Sequence, residues 1–193
     1  MKRIFKRILL LVCYIATAPL IILTWIEGAI FGDKWFPIYG ACKEFLAIQP
    51  TPIGEYLRLA FYRAVCKDIS PEAKFLFGSM LARRNITVGA GSVIGAYVII
   101  GLARIGDNVL IGGQSSLLSG KYQHGRPGEK EDESEPEGKY EVITIGSNTW
   151  VGQSVVIMAN IGEGCTIAAG SVVFKDVPNG ITVMGNPARK VSF

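Results

Sequence analysis

Aliphatic residues recur every six positions through the second half of this chain, and few folds can use that spacing. They fall at Val88, Ile94 and Ile100, then at Ile105, Ile111 and Leu117. After an interruption they resume at Ile145, Val151 and Ile157, then at Ile161, Ile167 and Val173. Glycine often follows directly, as in Val88-Gly89, Ile94-Gly95, Ile111-Gly112 and Ile161-Gly162. Four positions on comes a small or β-branched residue, such as Ser92, Val98, Thr149 or Ser171. This period is neither that of a helix nor that of an open strand. It fits a triangular coil of three short strands and three sharp corners, with six residues to each strand and corner.

In such a coil the aliphatic residue points inward and stacks on its copy in the next coil, about 4.8 Å away. The small residue also faces inward, where a narrow prism has no room for a large one. The corners need backbone angles that Gly, Asn and Asp tolerate best. From about Val88 to the C-terminus the chain therefore reads as a parallel β-helix, with two coils before the interruption and two after. Leu76 and Ala82 fit the start of another, and the short steps Ile100→Ile105 and Ile157→Ile161 require tightened corners.

A chain of 193 residues can bury one good core and a small accessory element. Its 49% apolar content and positive mean hydropathy are unusual for a soluble domain, and the excess lies near the N-terminus. Ile8 to Ile26 holds no charge, close to the roughly 20 residues a spanning helix needs. A signal peptide would be cleaved after Ala18, but Pro19 obstructs that, and no polar face marks a core helix. Positive charge lies on both sides: Lys2, Arg3, Lys6 and Arg7 before, then Lys34, Lys43, Arg58, Arg63 and Lys67 after. Both flanks are thus drawn to the cytoplasm. Two half-helices, roughly residues 5–18 and 20–31, meeting at Pro19 would satisfy this as a re-entrant or in-plane anchor. Glu27 would then lie near the membrane interface with Trp25, Phe31, Trp35 and Phe36.

The connector is punctuated by Pro37, Pro50 and Pro52, and then Gly54 to Lys67 shows helical periodicity. Leu57, Ala60, Phe61 and Ala64 line one face of that helix, with Arg58 and Arg63 away from it. The helix either lies on the membrane or caps the coil. A net charge of +4, dispersed along the chain, argues against nucleic acid as a partner. Cys13, Cys42, Cys66 and Cys165 have no metal-ligand spacing and read as small residues of a reduced protein.

The run Ile161 to Arg189 (IGEGCTIAAGSVVFKDVPNGITVMGNPAR) and the segment Ile145 to Gly152 (IGSNTWVG) resemble the hexapeptide-repeat acyltransferases. The likeness is greatest to the galactoside, maltose, xenobiotic and polysaccharide O-acetyltransferases, and it covers about Val88 to Val191. It implies an all-β fold, a left-handed parallel β-helix of hexapeptide repeats, here preceded by an α-helical membrane-anchoring region. It also implies a homotrimer and acetyl-CoA as donor. The expected organisation is a helical anchor over residues 1–32, a helical connector over 33–70, and the β-helix domain over 71–193 with an extruded loop at 119–142.

That loop is polar, acidic and rich in glycine and proline, and it holds His124, the chain's one histidine. The resemblance implies a catalytic histidine in the loop just before the Ile-Gly-x-Asn-x-Trp coil, which makes His124 the general base. Glu129, Glu131 and Glu133 follow in an acidic run that reads as solvated surface, and no carboxylate partner is assigned. Gln114 and Ser119, near the loop's root, are candidate acceptor contacts, or ordinary corner and strand residues. Matching the galactoside enzymes residue by residue gives Trp150, Gln153, Ala169, Phe174, Lys175 and Arg189 as the donor set, in a groove between subunits. The bulky ring of Phe174 departs from the small polar residue usual there.

Three other functions share the coil. A γ-class carbonic anhydrase needs several histidines around zinc, which one histidine cannot supply, so no metal is expected. A non-catalytic scaffold predicts no role for His124. An amino-sugar N-acetyltransferase would use the same base and donor, yet gains nothing from a membrane anchor. The anchor favours a lipid-linked glycan or polysaccharide precursor as acceptor, met at the cytoplasmic face of the inner membrane.

Overall fold

A computed structural model describes residues 2–32, 36–120 and 140–191. Helices α1 (Lys2–Phe31), α2 (Pro37–Ala47) and α3 (Ile53–Val65) come first. The first coil follows with β1 (Asp68–Ile69), β2 (Lys74–Phe75) and β3 (Met80–Leu81), and the second with β4 (Thr87–Val88), β5 (Val93–Ile94) and β6 (Ile99–Ile100). β7 (Ala103–Ile105), β8 (Leu110–Ile111) and β9 (Ser116–Leu117) make the third. The fourth is β10 (Ile143–Ile145), β11 (Trp150–Val151) and β12 (Val156–Ile157). β13 (Thr166–Ile167) and β14 (Val172–Val173) belong to the fifth, and β15 (Thr182–Met184) starts a sixth. β16 (Arg189–Val191) then folds back antiparallel on β15.

The strands stack into three parallel sheets, β1-β4-β7-β10, β2-β5-β8-β11-β13-β15 and β3-β6-β9-β12-β14, which form the faces of a prism. Register carries straight across the interruption, since Ile143 and Ile145 pair with Ala103 and Ile105. Each sheet contributes one inward column. On the second face it runs Phe75, Ile94, Ile111, Val151, Ile167 and Val183, nearly all without solvent exposure. Ser92, Ser115, Thr149 and Ser171 are buried beside these columns. Their hydroxyls meet backbone groups, as Ser92 Oγ does in donating to the Gly106 carbonyl and accepting from Val109 N–H. A small polar residue therefore fits the prism without an unsatisfied group.

One coil more precedes the interruption than the aliphatic pattern made legible, and its register differs by one residue. Phe75 and Leu81 point inward, while Leu76 and Ala82 are half-buried. An aromatic suits this position because the coil's end must be closed. Phe75 packs on Tyr62 with ring centroids 5.0 Å apart, Tyr62 on Phe61 at 5.8 Å, and Phe61 on Tyr39 at 6.0 Å. Helices α2 and α3 thus plug the open end of the prism, as solenoid ends require. The Tyr39 hydroxyl donates to the Leu81 carbonyl at 2.7 Å, and burial pushes its pKa well above the usual range.

Two expectations for the helices are corrected. Pro19 lies inside one continuous helix, so α1 is not a pair of half-helices. Its missing N–H removes a single bond to the preceding turn, which leaves the rest of the ladder in place. Glu27 is buried instead of lying at a membrane interface; its carboxylate accepts the N–H groups of Ile38 and Tyr39. These are orphan donors of α2's first turn, and its own N-cap, Phe36, provides no side-chain bond. A carboxylate there also meets the positive end of the helix dipole.

Arg58 is the third correction. It faces inward from α3 with no exposure, donating to the carbonyls of Phe75, Leu46, Ala47 and Gln49. Leu46 and Ala47 end α2 and Gln49 follows its C-cap, where orphan acceptors and the negative dipole end favour a cation. Gly54 leaves the space this needs: a Cβ there would sit 2.9 Å from the guanidinium and 2.0 Å from the Gln49 carbonyl oxygen.

Candidate active site

Each corner of the prism repeats from coil to coil, and this sorts the candidate residues. The first corner column holds Gly91, Asn108, Asn148, Gly164 and Gly180, all at positive φ. Asn108 donates its side-chain amide to Asn148 at 3.4 Å, and Asn148 to Glu163 at 3.3 Å, so the corner is also stitched by side chains. The second column holds Gly78, Tyr97, Gln114, Ser154 and Gly170, again with positive φ. The third is irregular and contains the shortened steps, the two ends of the interruption at Gly120 and Tyr140, and the Phe174-Lys175-Asp176 turn.

Gln114, Gln153 and Ala169 share the second corner. Gln114 is exposed, with its carbonyl oxygen 3.5 Å from Ser154 Oγ. Gly152 beneath them is obligatory, since a Cβ there would lie 2.5 Å from the Ala169 backbone nitrogen. Phe174, Lys175 and the loop's roots share the third corner, with the β3-β6-β9-β12-β14 face between the two corners. Trp150 stands apart on the outside of β11, 47% exposed.

Phe174, Lys175 and Arg189 line one cavity of about 380 Å³ at the C-terminal end of the coil. Lys190 adds a further positive charge to its wall. The Asp176 carboxylate is engaged by the Asn160 N–H at 2.9 Å. Such a wall suits phosphate oxygens, which lysine meets as a point charge and arginine as a fork.

Ser119 is buried, and its Oγ accepts the Leu102 N–H at 2.7 Å. Its carbonyl accepts the Glu141 N–H at 2.9 Å, so the two ends of the loop are tied together at this residue. That position serves the loop's root more than an open acceptor surface. His124 and the acidic residues Glu129, Glu131 and Glu133 lie outside the described residues. Near the root, the Arg83 guanidinium lies over Tyr140 at 4.3 Å and over Phe36 at 4.9 Å. The aliphatic period gave no hint of this grouping, although Arg83-Arg84 stands out as a basic pair in the sequence.

The hexapeptide repeat of succinyl-transferase matches residues 142–175. Galactoside O-acetyltransferase of Escherichia coli K12 is 33% identical over 132 residues, 64% of this chain and 59% of that enzyme. Among solved structures, a maltose O-acetyltransferase from Clostridium difficile 630 superposes with a TM-score of 0.63 at 23% identity, covering 80% of this chain and 83% of that one. A hexapeptide-repeat acetyltransferase from Vibrio cholerae O1 biovar eltor, solved with acetyl coenzyme A, does so at 0.59 and 23%, covering 80% and 84%. The chain resembles the hexapeptide-repeat acetyltransferases in sequence and shares their fold. Its matching stretch spans less than two thirds of the galactoside enzyme's length.

Proposed function

We propose that this protein transfers an acetyl group from acetyl-CoA to a sugar hydroxyl of a lipid-linked glycan or polysaccharide precursor. The observation that carries this is the third corner, where the root of the loop bearing His124 shares an edge with Phe174 and Lys175. The neutral imidazole of His124 takes the hydroxyl proton as the oxygen attacks the thioester carbonyl. The tetrahedral oxyanion, held by N–H donors, then collapses to the acetyl ester and expels the CoA thiolate. His124 returns its proton to that sulfur. Lys175 and Arg189 hold donor phosphates, and Trp150, Gln153 and Ala169 meet the donor from a neighbouring chain of a homotrimer. Two different corners of one prism then contribute to a single site at the subunit boundary. The direct test incubates the purified protein with acetyl-CoA and extracted lipid-linked glycans. A gain of about 42 Da in a glycan (the mass of an acetyl group replacing a proton) is expected, and no gain in any glycan fraction refutes the assignment.

Helix α1 supports a membrane location of a particular kind. Its inward face carries Cys13, Thr17, Ile21, Thr24 and Glu27, and packs on α3. Its outward face carries Ile8, Leu11, Ile15, Ile22, Ile26 and Ile30, all about half exposed or more. Polarity is thus inverted relative to a helix of a water-soluble protein. Since α3 packs in turn on the first coil, a spanning α1 would carry α3 and its neighbours into the bilayer. We therefore read α1 as lying against the cytoplasmic leaflet with its apolar face in lipid and Lys6 and Arg7 at anionic headgroups. The combined variant Leu11→Glu, Ile15→Glu and Ile22→Glu is expected to move the protein from the membrane pellet to the supernatant. Retention in the pellet would count against the lipid contact.

A further inference from the structure

A cleft of about 630 Å³ opens between the C-terminal half of α1, the end of α3 and the residues joining the first two coils. Trp25 and Gly28 form its wall on the α1 side, and Lys67, Arg84 and Asn85 form the other. A smaller cavity of about 170 Å³ adjoins it, sharing Arg84 and Asn85 and reaching Phe36, Arg83 and Tyr140. Among the described residues the two linings include Lys67, Arg83 and Arg84 and no carboxylate. Arg84 is held in position: its guanidinium donates to the Gly32 carbonyl at 2.6 Å and the Thr24 carbonyl at 3.4 Å. Gly28 makes room for it, because a Cβ there would lie 2.3 Å from Arg84 Nη1. Trp25 is fixed as well, its indole N–H donating to the Ala64 carbonyl at 3.0 Å while half its surface stays exposed.

The placement matters more than the charge. One end of this path is the apolar outer face of α1. The other is Tyr140, where the chain returns from the loop, with Arg83 between its ring and that of Phe36. A basic cleft beside a lipid-facing helix is suited to a phosphate whose hydrocarbon stays in the bilayer. An arginine over two aromatic rings offers a flat apolar and cationic surface to what the phosphate carries.

We propose that Lys67, Arg84 and Asn85 bind the phosphate of a membrane-borne lipid, with the Arg83–Tyr140 cavity receiving its head. This rests on the lipid-linked acceptor reading, and it names where such an acceptor would be held. The test measures binding alone, with full-length protein in detergent micelles and farnesyl diphosphate, dioleoyl phosphatidate, farnesol and inorganic pyrophosphate as probes. Farnesyl diphosphate is expected to bind, farnesol is not, and Lys67→Glu combined with Asn85→Asp is expected to weaken binding at least tenfold. Acetyl-CoA binding should stay unchanged in that variant. Tighter binding of farnesyl diphosphate than phosphatidate identifies a lipid-linked carrier as the source; the reverse order identifies a phospholipid headgroup. Equal affinity for pyrophosphate and farnesyl diphosphate would overturn the lipid assignment. Unchanged binding in the double variant would overturn the site itself. No readout depends on acetyl transfer, so the site can fail while the catalytic reading stands, and the reverse.

Discussion

Replacing His124 with alanine is expected to lower turnover by about 10²–10⁴-fold, the range for losing a positioned general base. A sugar hydroxyl holds its proton tightly at neutral pH, so attack on the thioester is slow unless a base removes that proton as the bond forms. The effect should fall on turnover and leave acetyl-CoA affinity unchanged, because the donor contacts proposed at Lys175 and Arg189 do not involve the imidazole. Assembly should also survive, since the loop's ends are tied by the Glu141 N–H to Ser119 carbonyl bond and the coil's register continues beyond it. A second readout separates base from scaffold. Wild-type activity should fall as acid protonates an imidazole somewhere between about pH 5 and 8, and the residual activity of the alanine variant should lack that limb. Near-normal turnover in the variant would remove the assignment.

The coil was legible because its inner columns repeat one residue class at one spacing. That logic weakens where Phe75, Leu76 and Phe77 are apolar in succession, and there the burial pattern, not hydrophobicity, sets the register. Composition marked α1 as strongly apolar but could not say which of its sides packs against the rest of the chain. The answer depends on Thr17 and Thr24, whose hydroxyls bond back to the carbonyls of Cys13 and Leu20 and so can be buried against α3. The candidate donor residues came from resemblance. Their division between two corners follows from the phase of the repeat, since Gln153 and Ala169 occupy equivalent positions in successive coils and Phe174 follows on the next corner. Arg58 was misplaced because helical periodicity treats every charge as a solvent-facing residue. The carbonyls that hold it belong to the end of α2, the turn after it and β2, which the local pattern of α3 does not contain.

Arg58 also sets the largest expected loss of stability. Arg58→Leu puts an apolar side chain of moderate size in its place and removes the guanidinium donors from a buried site where four carbonyl oxygens converge. A buried acceptor left unsatisfied costs about 1–3 kcal/mol. The carbonyls at the end of α2 would share that loss, although relaxation and entering water would recover part of it. Against this stands a gain, because a buried guanidinium is costly to desolvate and its Nη2 has no hydrogen-bond partner. The losses outnumber the gain, and a net cost of about 2–4 kcal/mol follows from leaving several buried acceptors unpaired. For a chain of this size that lowers the melting temperature by roughly 10 °C. The damage should begin at the capped end of the prism, where α2, α3 and Phe75 meet, so amide exchange there should speed up before exchange in the fourth and fifth coils. Arg58→Lys is the informative companion: one ammonium can reach fewer of the carbonyls, and an intermediate loss is expected. Equal melting temperatures for wild type and Arg58→Leu would show that α2 is capped without the guanidinium.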